Sequence, residues 1–69
     1  MEKAIKENDL FAEANNWLKI NGKLTKTERK IEDRFLYKLT FKYNLDDTIT
    51  EVEGYDFKEL IINLYKEFL

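Results

Sequence analysis

The sequence predicts a small α+β single domain, helix-strand-strand-strand-helix, in which a three-stranded antiparallel sheet is covered on one face by two helices. Three patterns carry that prediction. Leu10, Phe11, Ala14, Trp17 and Leu18 recur as one helical stripe, and Phe57, Leu60, Ile61, Leu64, Tyr65 and Phe68 recur as a second. Between them every odd position from Phe35 to Leu45 is apolar or aromatic, which is the period of a half-buried strand. With no proline, two glycines, and neither repeat nor linker, residues 1–69 read as one domain.

Helix one is expected over about residues 2–20, ended by Asn21-Gly22, because glycine tolerates the left-handed conformation of a helix C-cap. Asn-Gly is also the strongest two-residue hairpin signal, so a strand on each side is the competing reading. Residues 24–32 follow as an edge strand, in which Thr25, Thr27, Arg29 and Ile31 alternate with Lys26, Glu28, Lys30 and Glu32. Thr25 followed by Glu28, with Ile31 and Phe35 four apart, also fits a short helix.

Residues 34–54 read as a hairpin, with Thr48 to Gly54 as the returning strand. A tight turn at Leu45-Asp46 sets Leu39 opposite Val52, Phe41 opposite Thr50 and Tyr43 opposite Thr48 on the face toward the helices. Lys38 then meets Glu53, Thr40 meets Glu51 and Lys42 meets Ile49 on the other face. A register shifted by one would set Glu51 and Glu53 against Phe41 and Leu39 on the buried side, at high desolvation cost. Helix two spans 57–68, opened by Asp56 with Glu59 three residues later, a capping box that satisfies orphan N–H groups. The expected core is Leu10, Phe11, Ala14, Trp17, Leu18, Leu39, Phe41, Tyr43, Val52, Phe57, Leu60, Ile61, Leu64 and Phe68.

Composition narrows the chemistry. The chain has no cysteine, histidine or serine, which removes disulfides, the usual zinc ligand sets, and Ser-His or Cys-His nucleophile pairs. No metal, cofactor or catalytic residue is expected, and the chain reads as not an enzyme. Asp46, Asp47, Glu51, Glu53 and Asp56 concentrate carboxylates, but their spacing matches no calcium loop. The amino-terminal residues lack the apolar run of a signal peptide or membrane span, so a cytoplasmic location is expected. Abundant Lys, Asn, Ile and Tyr without proline suggest an AT-rich coding sequence, as in low-GC bacteria and their phages; for a phage product the location would be the host cytoplasm.

Charge is partitioned along the chain: residues 1–18 carry −2, residues 19–42 carry +5 and residues 43–69 carry −5, against −2 for the whole. The basic middle is either a footprint for a polyanion or one half of an internal charge match. The run from Arg34 to Tyr43 interleaves basic and aromatic residues as single-strand-binding sheets do, yet its period sends Tyr37, Phe41 and Tyr43 to one face and Lys38 and Lys42 to the other. The order of elements resembles the double-stranded RNA-binding fold. That resemblance implies nucleic-acid binding through a lysine-rich start to the last helix, where this chain instead has Asp56, Phe57, Lys58 and Glu59. The departure removes the residues that would grip phosphates, so nucleic acid is not the expected partner.

The expected role is a non-catalytic protein-protein interaction module, with a nucleic-acid-binding domain on the 19–42 segment or a structural, self-associating protein as alternatives. Two helices cover one side of a three-stranded sheet and leave the other open, carrying Arg34, Leu36, Lys38, Lys42, Ile49, Glu51 and Glu53 as candidate partner-binding residues. Lys26, Arg29 and Lys30 on the edge strand complete the candidate set. The partner is an unidentified protein, no membrane is involved, and a homodimer through the open face or the edge strand is the further possibility. The acidic run from Asp46 to Glu59 offers a second surface, for a basic partner. In length and composition the chain is similar to small acidic phage inhibitors of host defence.

Overall fold

A computed structural model describes residues 7–69. Helix α1 (Glu7–Asn21) leads into strand β1 (Gly22–Ile31), strand β2 (Arg34–Tyr43), strand β3 (Ile49–Gly54) and helix α2 (Phe57–Lys66). The strands form an antiparallel sheet in the order β1-β2-β3, so the α+β architecture read from the periodicities is the one formed. Residues 2–6 of the expected first helix lie outside the described residues. Residues 24–32, for which a strand and a short helix competed, are strand up to Ile31, and Glu32 belongs to the turn.

Two junctions differ from the sequence reading. Gly22 has no positive φ, so it is not a left-handed cap. The chain passes straight from helix to strand, with the Asn21 side chain donating to the Trp17 carbonyl at 2.9 Å. The second hairpin does not turn tightly at Leu45-Asp46. Asp47 N–H donates to the Tyr43 carbonyl and Tyr43 N–H to the Thr48 carbonyl, both at 2.9 Å, which leaves residues 44–47 as a four-residue loop with Asp47 at φ 61°. Asp46 organises this loop by accepting from the Thr48 hydroxyl at 2.7 Å and the Thr48 N–H at 3.1 Å. Leu45 therefore lies in the loop, 80% exposed, and not on the strand. Widening the turn symmetrically preserves the register: Lys38 faces Glu53, Leu39 faces Val52 and Phe41 faces Thr50.

The β1–β2 connection is a two-residue turn, Glu32-Asp33, with Glu32 at φ 56°. Two-residue hairpins that follow strand twist need a positive φ at this first central position, and glutamate adopts it less readily than glycine.

Both helices pack on one face of the sheet, and Ala14, Leu18, Leu39, Phe41, Leu60, Ile61, Leu64 and Tyr65 form the buried cluster. Every residue expected in the core lies in it or packs against it, and Leu24, Tyr37 and Tyr65 join them. Trp17 holds the layers together, with ring centroids 6.3 Å from Phe41, 5.9 Å from Tyr43, 5.7 Å from Tyr65 and 5.6 Å from Phe68. Such tilted ring pairs stabilise by about 0.5–1.5 kcal/mol each beyond area burial. At the start of α2, Asp56 accepts from the Glu59 N–H at 3.2 Å, as the capping signature requires. The helices, of 15 and ten residues, rise about 22 and about 15 Å where ten strand residues span about 33 Å, so the sheet outreaches its cover. Phe35 shows the consequence: it lies on the helix face yet stays 46% exposed at the uncovered end.

A hydrogen bond ties the helices to each other. The Tyr65 hydroxyl donates to Glu13 Oε2 at 2.6 Å, and this bond, followed by burial and the nearby carboxylate charge, holds the phenol above its ordinary 10.0. Because the folded state holds the proton more tightly than the unfolded state, the contribution is complete below pH 10.0 and is lost as pH rises through the higher folded value. Thermal melts of wild type and Tyr65→Phe between about pH 8 and about pH 11 should converge at the alkaline end. A gap that stays constant with pH would refute the coupling.

Candidate functional site

Residues paired across an antiparallel ladder share a face, so the burial of Leu39 and Phe41 against the helices assigns both sides of the sheet. The helix face takes the odd residues of β2 with Leu24, Lys26, Glu28 and Lys30 of β1 and Thr50 and Val52 of β3. The open face takes Lys23, Thr25, Thr27, Arg29 and Ile31 from β1. From β2 it takes Arg34, Leu36, Lys38, Thr40 and Lys42, and from β3 Ile49, Glu51 and Glu53.

The ten candidate partner-binding residues therefore divide. Arg29, Arg34, Leu36, Lys38, Lys42, Ile49, Glu51 and Glu53 come together on the open face. Lys26 and Lys30 do not join them, because even positions of β1 pair with odd positions of β2 and point to the helix side. Lys26 lies 5.1 Å from the Phe57 ring centroid and 3.8 Å from the Glu28 carboxylate. The charge of β1 alone does not carry this split; its pairing with β2 does. The same pairing adds Lys23, Thr25, Thr27 and Ile31 to the open face; the alternation of Thr25 to Ile31 was legible, but not which phase faced away from the helices.

The open face carries five basic residues (Lys23, Arg29, Arg34, Lys38, Lys42) against two acidic ones (Glu51, Glu53), a net +3 on a chain of −2. The bases lie on β1 and β2 and the acids on the β3 edge. Lys38 sits opposite Glu53 but pairs with Glu51 at 3.7 Å, the diagonal neighbour that strand twist brings within reach of a long side chain. Lys42 lies 4.0 Å from Asp47 across the loop. With every partner about half exposed or more, these pairs are each worth only about 0.2–1 kcal/mol. Cross-strand matching thus neutralises part of the basic middle and leaves an excess. Thr27, Arg29, Leu36, Lys38 and Glu53, with Glu28 at the rim, border an open depression of about 330 Å³. Arg34 stacks its guanidinium 3.9 Å from the Tyr55 ring centroid at the far end.

Aromatics and cations separate as the period of β2 predicts. Tyr37, Phe41 and Tyr43 pack against the helices, and no aromatic residue of the three strands lies on the open face. The acidic run from Asp46 to Glu59 does not form one surface: Glu51 and Glu53 lie on the open face, Asp46 bonds Thr48 and Asp56 caps α2. The Thr48 hydroxyl and N–H hold the Asp46 carboxyl below its ordinary 3.8. Among the described residues no three acidic side chains converge as a metal site, and no helix is long and apolar enough to cross a membrane.

The chain matches no protein-family model, no curated protein and no solved structure at a similarity that establishes kinship. Its last helix opens on the carboxylate cap of Asp56.

Proposed function

We propose that this chain is a non-catalytic protein-protein interaction module whose open sheet face takes an acidic surface of its partner, as a small inhibitor or adaptor of phage or low-GC bacterial origin. The observation that carries the reading is the uncovered face itself, with five bases, two acids, and Leu36 and Ile49 among them. Interfaces of this kind set a few apolar contacts inside a charged rim that steers encounter and selects partners. A nucleic-acid reading would use the same cations but needs stacking aromatics beside them for single strands; the rings of β2 are committed to the core or the helix side, which leaves Tyr55, stacked on Arg34 at one end of the face.

The experiment is capture by immobilised protein from nuclease-treated lysate of the native host, wild type against Lys38→Glu with Lys42→Glu. Each substitution replaces a modest surface pair, so the double variant should keep its far-UV circular dichroism while capture falls at least about tenfold. Undiminished capture would remove the open face from consideration. Capture seen only from lysate not treated with nuclease, together with salt-sensitive binding of labelled RNA or DNA, would replace the protein partner with a nucleic acid.

A further inference from the structure

Strand β1 is an outer strand, and its ten residues pair with β2 without interruption. Asn44 N–H donates to the Asn21 carbonyl at 2.9 Å, one step outside the Gly22–Tyr43 pair and in the same register. The alternation of an antiparallel ladder then commits the N–H and C=O groups of odd-numbered β1 residues to β2. Those of Leu24, Lys26, Glu28 and Lys30 point outward. Every residue from Thr25 to Lys30 is exposed, whichever face it occupies, so no helix shields this edge.

We infer that β1 docks antiparallel against β1 of a second copy of this chain, about a two-fold axis at Thr27, to give one continuous six-stranded sheet. Hydrogen bonding restricts the choice first. Only registers that oppose even residues to even residues bring the outward groups face to face, and these also put both helical layers on the same side.

Charge then selects among them. An axis at Lys26 sets Lys26 against itself and Lys23 against Arg29; one at Glu28 sets Glu28 against itself and Lys26 against Lys30; one at Arg29 opposes two guanidinium groups. An axis at Thr25 opposes no charges but shortens the overlap. The Thr27 axis sets Lys26 against the partner's Glu28 and Glu28 against the partner's Lys26, opposes no like charges, and overlaps Lys23–Ile31. Leu24 and Lys30 make the outer bonded pairs, for about eight main-chain hydrogen bonds in all. Thr27 meets Thr27 at a close, non-bonded position, a favourable cross-strand pair. Lysines on an edge ordinarily deter pairing; here the same charges reject the axes at Lys26, Glu28 and Arg29, and length of overlap favours Thr27 over Thr25. The contact leaves Lys38 and Lys42 of β2 free, so it stands or falls separately from the open-face reading.

Sedimentation equilibrium on the full chain up to about 1 mM decides the matter. Wild type should reach twice the 8.4 kDa protomer mass, with a dissociation constant below about 100 µM. K26E and E28K, each alone, oppose two like-charge pairs and should weaken the dimer at least about tenfold. Mixed in equal amounts, the two variants become complementary and should dimerise as wild type does. Glu28→Pro removes one outward N–H without breaking the β1–β2 ladder and should give a monomer with unchanged far-UV circular dichroism. A protomer mass for wild type throughout, a dimer indifferent to these changes, a mixture no tighter than its components, or growth beyond the dimer would each overturn the inference.

Discussion

Phe41→Ala should leave most of the chain unfolded at 25 °C. Phe41 is fully buried on the central strand β2, 5.2 Å from the Phe68 ring, 6.1 Å from Tyr43 and 6.3 Å from Trp17, so one side chain joins α1, the sheet and the residues following α2. Truncating a buried phenylalanine costs about 3–5 kcal/mol, the lost transfer energy plus the cavity left behind. A single core in a chain of 69 residues, without disulfide or metal, rarely supplies more than about 3–5 kcal/mol in total. The two magnitudes are equal, so the folded state loses its margin. Far-UV circular dichroism and the emission of the single tryptophan, Trp17, would report the loss together, with a red shift as the indole meets water. Phe41→Leu keeps most of the volume and should remain folded with a lower urea midpoint. A native spectrum and an unchanged midpoint for Phe41→Ala would show that the ring cluster does not carry the fold.

The second large effect is at Gly22, where alanine ordinarily stabilises. Replacing a glycine whose φ any residue can adopt gains about 0.4–1 kcal/mol through the unfolded chain, and Gly22 has no positive φ. Space reverses the sign. A Cβ at Gly22 would run into the Lys42 carbonyl oxygen and stand 2.5 and 2.6 Å from the Phe41 ring. The carbonyl belongs to the central strand and cannot withdraw without disturbing the ladder. Gly22→Ala should therefore cost about 1–3 kcal/mol, read as a lower urea midpoint at unchanged slope. Because the added methyl meets Phe41, Gly22→Ala combined with Phe41→Leu should cost less than the two changes summed. Strict additivity, or a stabilised Gly22→Ala protein, would contradict the close approach.

Much of this was legible in the residues, and the failures have a common cause. The stripe from Leu10 to Leu18 and the one from Phe57 to Phe68 are long enough to fix helical period, and Phe35 to Tyr43 fixes a period of two. Register was legible too, because a slip of one residue would bury Glu51 and Glu53. Asn21-Gly22 carried two local meanings, a helix cap and a hairpin, and the structure uses neither. There glycine is required by a neighbouring strand that local sequence does not reveal. Charge summed along the chain groups Lys26 and Lys30 with Arg29 and Arg34, whereas pairing with β2 sorts β1 by parity.

The sequence by itself determined the order of elements, the residues that fill the core and the separation of the aromatics of β2 from its cations, since each depends on spacing within one segment. Tertiary structure alone decided which phase of β1 looks away from the helices, why Gly22 admits no side chain and how many of the basic residues remain after cross-strand pairing. Those depend on what lies beside a strand, and neighbours across a sheet are set by the register of the whole ladder and by how far two short helices reach over it.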